Sequence, residues 1–319
     1  MKTMPPIRAL FAAAILLALF ALVTRTAPAR APAQAETTAS APARTITDET
    51  GRRMSIPATV RRIVSLAPDV TETVYALGAG DRLVGDTNYC DTPPEAKLKP
   101  HVGNPQSPSL EAVIALHPDL VLASTSINAA ETADSLLKLG VPVYTSDPHT
   151  ILGMLDSAAR LGDLIGAKAQ GEALKQNLRA RLDVLQVRLG DRPLAHVLFL
   201  VWFAPPQSIG SNTFIADALR FAGAESVIVS DENWPKPSFE EILRVQPDYI
   251  ILTTDHEGGA TDIADLRSRK DWQSLEAVRL GRVITVSDSF DRPSPGLIDA
   301  IEQLARQLHP EAFVAEAHQ

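Results

Sequence analysis

The 319-residue chain has a single cysteine, Cys90, so no internal disulfide can form and its fold must rest on apolar cores. Its seven histidines, His101, His117, His149, His196, His256, His309 and His318, are scattered without the spacing of metal ligands or of a triad. The chain also lacks a Gly-rich phosphate loop and a nucleophile elbow. These absences leave no residue assigned to catalysis and none to metal binding. A nucleophilic role for Cys90 would need a histidine beside it, so the simpler expectation is a partly buried structural thiol.

Basic residues are scarce as well. The chain carries 30 Lys and Arg against 38 Asp and Glu. Four of the basic residues (Lys2, Arg8, Arg25, Arg30) and none of the acidic ones fall in the first 35 positions, so the remainder has 26 against 38, a net charge of −12. Nucleic acid is thereby an unexpected partner, whereas a basic protein face is a suitable one. The apolar stretch Ala9 to Val23 is 15 residues, short for a membrane span, and it follows Lys2 and Arg8. With the small-residue site Ala33-Gln34-Ala35 behind it, residues 1–35 read as an export signal cleaved after Ala35, an uncleaved anchor being the alternative. No cysteine follows the stretch to carry a lipid, so a periplasmic location is expected. Residues 36–44 have no apolar period and read as a flexible leader.

What the chain does have is a repeat. Pro108-Ser109-Leu110-Glu111, running on to Pro118-Asp119-Leu-Val-Leu122, recurs without a gap as Pro237-Ser238-Phe239-Glu240, running on to Pro247-Asp248-Tyr-Ile-Ile251. Each copy reads as a short helix and a buried strand. Ser109 and Ser238 are N-caps, Glu111 and Glu240 lie in the first turn where the helix dipole favours a carboxylate, and Glu241 completes a capping box. Pro118 and Pro247 end the helices, and the apolar runs behind them lack alternation, as expected of parallel strands covered on both faces.

The flanks repeat too. Arg62 to Ala67, Thr71 to Leu77 and Arg82 to Asp86 read as strand, helix and strand, with His196 to Val201 and Asn212 to Phe221 as weaker counterparts. The expected fold is therefore α/β: two similar lobes, each with a parallel sheet, over residues 45–149 and 192–319. Between them, residues 150–191 hold only helical periodicity. Leu174, Leu178, Leu182, Leu185 and Leu189 mark one face of a helix from Lys168 to Leu189, about 33 Å long at 1.5 Å per residue. A single long bridging helix of this kind restrains lobe closure.

The run Arg62-Ile-Val-Ser-Leu-Ala-Pro68, Thr71-Glu72, Asn88-Tyr89-Cys90-Asp91, Pro93-Pro94-Glu95-Ala96 and the first repeat copy resembles the periplasmic substrate-binding proteins of cobalamin ABC importers. They belong to the helical-backbone, class III periplasmic binding protein fold, which also serves haem and ferric siderophores. The resemblance covers about Thr45 to the end of the chain. It implies a monomeric, non-enzymatic receptor with no intrinsic cofactor, whose cargo is cobalamin or a related corrinoid and whose partner is an inner-membrane permease dimer. By position, Glu111 and Glu240 would dock to the two permease subunits, Tyr89 and Trp234 would lie against the corrin, and Asp288 and Arg292 would bond its peripheral amides. Phe290 would add flat apolar contact, with Trp202 and Phe203 as weaker strand-end candidates. This chain has Pro105 and Ser124 where cobalamin binders can carry tryptophans, so a haem or ferric-siderophore cargo is the first alternative. An exported enzyme using Cys90, or Asp91 with another carboxylate, is the alternative of a different class.

Overall fold

The computed structural model describes residues 43–253 and 263–318. The export signal at 1–35 and most of the 36–44 leader lie outside the described residues. The first described element is already a strand, β1 (Ala43–Thr47), which forms an antiparallel hairpin with β2 (Arg53–Pro57) just before the position where the folded part was expected to begin. Asp48 closes the turn between them, its Oδ1 accepting the backbone N–H groups of Thr50 and Arg52 at 3.1 and 2.8 Å.

The N-lobe sheet is built from β3 (Ile63–Ser65), β4 (Leu83–Gly85), β7 (Leu120–Ser124) and β8 (Val143–Ser146) in the order β4-β3-β7-β8, all parallel. Between them run α1 (Pro68–Ala76), the short hairpin β5 (Gly103–Asn104) and β6 (Ser107–Pro108), α2 (Leu110–Ala115) and α3 (Ala130–Lys138). Helix α1 starts at Pro68, earlier than the sequence suggests, because proline fits the first helical position where no intrahelical N–H is needed.

Two helices then cross the molecule, α4 (Ile151–Leu164) and α5 (Lys168–Leu189), the second with the bounds read from its leucine period. The C-lobe sheet follows: β9 (Ala195–Leu200), the small hairpin β10 (Trp202–Phe203) and β11 (Pro206–Gln207), α6 (Phe214–Phe221), β12 (Ala224–Ser226), α7 (Phe239–Val245) and β13 (Tyr249–Thr253). It is completed by α8 (Ile263–Ser268), α9 (Glu276–Arg279), β14 (Val283–Val286) and α10 (Leu297–Leu308), with the sheet order β12-β9-β13-β14. In both sheets the first strand of the lobe lies between the second and the third, so the two lobes share one topology.

The repeat is preserved to the level of single hydrogen bonds. Ser109 and Ser238 each accept a backbone N–H three residues on, at 3.2 Å, as N-caps do. His117 (φ 47°) and Gln246 (φ 41°) both end their helices in the left-handed region directly before Pro118 and Pro247. Asp119 Oδ2 accepts the N–H groups of Arg61 and Arg62, and Asp248 Oδ2 accepts that of His196, which ties the third strand of each sheet to the start of the first.

The bridge between lobes is a pair of helices rather than α5 alone. Ile151, Met154 and Leu155 of α4 belong to the C-lobe core, whereas Leu161 and Leu164 of the same helix belong to the N-lobe core. Leu174 of α5 packs against both. The helices approach closely at two glycines: a Cβ on Gly162 would stand 2.9 Å from the Cα of Gly171, and one on Gly171 would stand 3.1 Å from the carbonyl oxygen of Ala159. Only glycine permits that backbone contact. The first free N–H of α4, on Ile151, is capped from the C-lobe by Asp217 Oδ2 at 2.8 Å.

Candidate functional site

The carboxyl ends of the parallel strands in both lobes face one another, which is where open α/β sheets hold ligands. A cavity of about 300 Å³ lies there. Its N-lobe wall comes from the turn after β7, Thr125 and Ser126, and from Pro148 and His149 after β8. The C-lobe wall supplies Val201 after β9, Phe214 at the start of α6, and Trp234, Asp291 and Pro293. Neither Lys nor Arg is among the described residues lining it.

Trp234 stands on this wall with 43% of its surface exposed, in accord with its position in a polar, proline-rich loop. Tyr89 does not join it. The half-buried tyrosine lines a separate cavity of about 510 Å³ in the N-lobe, together with Cys90, Asp91, Lys97 and His101. Trp202 is 44% exposed on the β10-β11 hairpin, and its indole N–H donates to the Ala204 carbonyl at 2.8 Å, so the ring serves its own turn.

Phe290 requires a correction. It is fully buried in the C-lobe core, its ring centroid 5.6 Å from that of Phe199. The 3-10 turn Asp288–Asp291 rotates the side chain inward, so in this arrangement it offers no face to a ligand.

Arg292 and Asp288 are corrected in a different way. Arg292 is neither directed at the cavity nor half of a surface pair. It is 9% exposed and reaches across to the N-lobe, Nη1 lying 3.0 Å from Glu72 Oε1 and 3.4 Å from Asp91 Oδ1, while Nη2 lies 2.5 Å from Asp288 Oδ2. Ser294 Oγ donates to the other oxygen of Glu72 at 2.6 Å. Burial opposes the charge on Arg292, but Asp288, Glu72 and Asp91 outweigh it and hold the guanidinium above its usual range. Burial also pushes the Glu72 carboxyl up, against the pull of Ser294 and Arg292. The lobes are thus tied twice, by the two crossing helices and by this buried cluster.

Glu72 was visible in the sequence only as part of a motif; its partner is 220 residues away, and no local signal could reveal it. Asp69 was missed as well. One turn before Glu72 on α1, it is buried behind Ser124 and Ser126, and burial raises its carboxyl above the ordinary range.

Cys90 is buried, bonded to Thr71 at 3.1 Å and in contact with Thr87 at 3.3 Å; burial pushes its thiol up to about 11. Such a thiol is a poor nucleophile at neutral pH. Asp91, the other candidate for an enzymatic role, is engaged with Arg292. No group of three metal-ligating side chains occurs among the described residues.

Glu111 and Glu240 are both exposed, each in the first turn of its short helix, away from the cavity. Glu111 Oε2 accepts from the hydroxyl of its own N-cap, Ser109, at 3.2 Å.

Two lobes with matching parallel sheets and a helical bridge define a class III periplasmic binding fold. Residues 63–289 match the periplasmic binding protein family model, and the chain belongs to that family. A relative in Bacillus subtilis, the uncharacterized ABC transporter substrate-binding lipoprotein YvrC, is 30% identical over 278 residues, 84% of this chain and 86% of its own length. A vitamin B12-binding protein of Vibrio cholerae is 29% identical over 255 residues, 79% of this chain and 90% of the relative. Among solved structures, the periplasmic vitamin B12 binding protein BtuF of Vibrio cholerae superposes with a TM-score of 0.68 at 28% identity, covering 80% of this chain and 98% of that one. The periplasmic heme-binding protein RhuT from Roseiflexus sp. RS-1 gives 0.70 at 25%, covering 79% and 99%.

Proposed function

We propose that this protein is the substrate-binding component of an ABC importer, that it holds cobalamin or a related corrinoid between its lobes, and that it delivers this cargo to an inner-membrane permease. The observation that carries the choice of cargo is the charge of the cavity. Its described lining has the indole of Trp234 for flat apolar contact, neutral hydroxyls and amides, the carboxylate of Asp291 and the imidazole of His149, which is 3.3 Å from Asp147, but no Lys or Arg. A corrinoid displays neutral amides, whereas haem propionates and anionic siderophores call for cations. Similarity to vitamin B12-binding proteins over most of the chain supports the same reading.

At about 300 Å³ the cavity is at the small end of ligand pockets. Seating a corrin-sized macrocycle therefore needs the lobes to part, against the Glu72–Arg292 bridge. Exposed in the first turn of matching helices, Glu111 and Glu240 form the docking pair for the two permease subunits. Calorimetric titration of the protein with cyanocobalamin, haemin and a ferric hydroxamate tests the cargo. Submicromolar binding of cyanocobalamin alone is expected; tighter binding of haemin would overturn the assignment.

A further inference from the structure

The N-lobe wall of the interlobe cavity contains a hydrogen-bond chain whose direction can be worked out proton by proton. It begins at Asp69, the second residue of α1, which is only 3% exposed. Asp69 Oδ1 is buried without a hydrogen-bond partner. Its Oδ2 accepts from the hydroxyl of Ser124, the fully buried last residue of β7, and from that of Ser126 at 3.4 Å. The Ser124 oxygen also receives the backbone N–H of Ser126 at 3.3 Å and lies 2.8 Å from the Ser126 hydroxyl oxygen.

A serine hydroxyl has one proton to give. Ser124 gives its proton to Asp69, so in the 2.8 Å contact between the two serines Ser126 must be the donor. The single Ser126 proton is shared between the Ser124 oxygen at 2.8 Å and Asp69 Oδ2 at 3.4 Å, and toward either it points into the protein. Ser126 itself is exposed and lines the cavity, and what it offers there is its oxygen lone pairs. Ser124 donating to Oδ2 requires that Oδ2 carry no proton, so this direction holds for the ionised carboxylate and for a proton on Oδ1, and a proton on Oδ2 would reverse it. A ligand N–H meets a ready acceptor at this point. A ligand carboxylate meets lone pairs with Asp69 behind them, Asp291 on the opposite wall and no lining Lys or Arg to compensate.

We propose that Asp69, Ser124 and Ser126 form a directional relay that determines specificity, selecting a cargo that presents an uncharged N–H donor such as a primary amide and rejecting a carboxylate at the same place. The inference rests on the reading that cargo sits in the interlobe cavity.

The test compares cyanocobalamin with its three monocarboxylic acids, each made by hydrolysing one propionamide, by calorimetry on the wild type, Ser126→Ala and Asp69→Asn. Wild type should bind cyanocobalamin more tightly than at least one of the acids. Ser126→Ala should lose about fivefold to tenfold in affinity for cyanocobalamin, with no loss for the acid whose converted amide met Ser126. Asp69→Asn, which can place an N–H donor against Ser124 and reverse the chain, should narrow the same gap. Equal losses for all four ligands, or none, overturn the relay. If no corrinoid binds the wild type, the cargo assignment fails by itself, and the relay is read from haemin against its diamide. A preference for the diamide that Ser126→Ala removes upholds the relay, whereas no preference, or binding of neither, overturns it.

Discussion

The two lobes share a sheet order, serine-capped helices and left-handed helix ends, yet the walls they turn toward each other differ in chemistry. Both walls carry polar groups, but the large apolar side chains stand on one side: the N-lobe wall offers Thr125, Ser126, Pro148 and His149, with Asp69 behind Ser126, whereas the C-lobe wall adds Val201, Phe214, Trp234 and Pro293 to Asn212, Thr213, Asn233 and Asp291. The repeated features lie at the other end of the strands, where Pro-Ser-x-Glu and Pro-Asp organise the short helices and strand starts. The repeat is kept where the two halves build their short helices and strand starts alike, and it is lost in the side chains that line the cavity.

The comparison can be broken hardest at the bridge that holds the unlike walls together. Glu72→Ala takes one carboxylate from the buried Arg292, which keeps Asp91 and Asp288, and should cost about 3 kcal/mol in urea unfolding; replacing both partners, Glu72→Leu with Arg292→Met, should recover most of it. Next is the crossing common to both lobes. Gly162→Ala drives a Cβ to 2.9 Å from the Gly171 Cα and should destabilise by about 1–3 kcal/mol, with ligand specificity unchanged in a competition assay.

Smaller effects sharpen the contrast between walls. Trp234→Ala should weaken cyanocobalamin binding by about 1 kcal/mol in calorimetry while leaving the melting temperature unchanged, since the ring is exposed in the free protein. The repeated carboxylates lie outside the cavity, and the expected effect on the protein itself is small. Glu111→Ala and Glu240→Ala should each cost about 0.3–1 kcal/mol of stability through the helix dipole, leave cargo affinity intact, and together abolish stimulation of the permease ATPase in proteoliposomes. Lost cargo affinity instead would place these residues in the cleft.

Much of the framework was legible because it is local. The leucine period marks α5 with the bounds it has, and Ser109 and Ser238 announce their helices from one position away. The site was legible only in part. Trp234 stands out because no apolar period surrounds it, but Phe290 in a similar polar stretch is turned into the core by one short 3-10 turn. Asp288 is four residues before Arg292 and could be paired with it by counting, whereas Glu72 and Asp91 could not. Tyr89 and Trp234 look equivalent in sequence, and only the tertiary structure assigns them to different cavities.

The buried bridge has a consequence for the apparent affinity of whatever enters between the lobes. A ligand that needs them apart binds with its intrinsic dissociation constant divided by the fraction of molecules already open. Each 1.4 kcal/mol or so that Glu72, Ser294 and Arg292 contribute to the closed arrangement lowers that fraction about tenfold. Residues occupied with one another thus set how much of the cargo's binding energy is consumed before it is seated, and any partner that draws the lobes apart from outside works against the same few contacts.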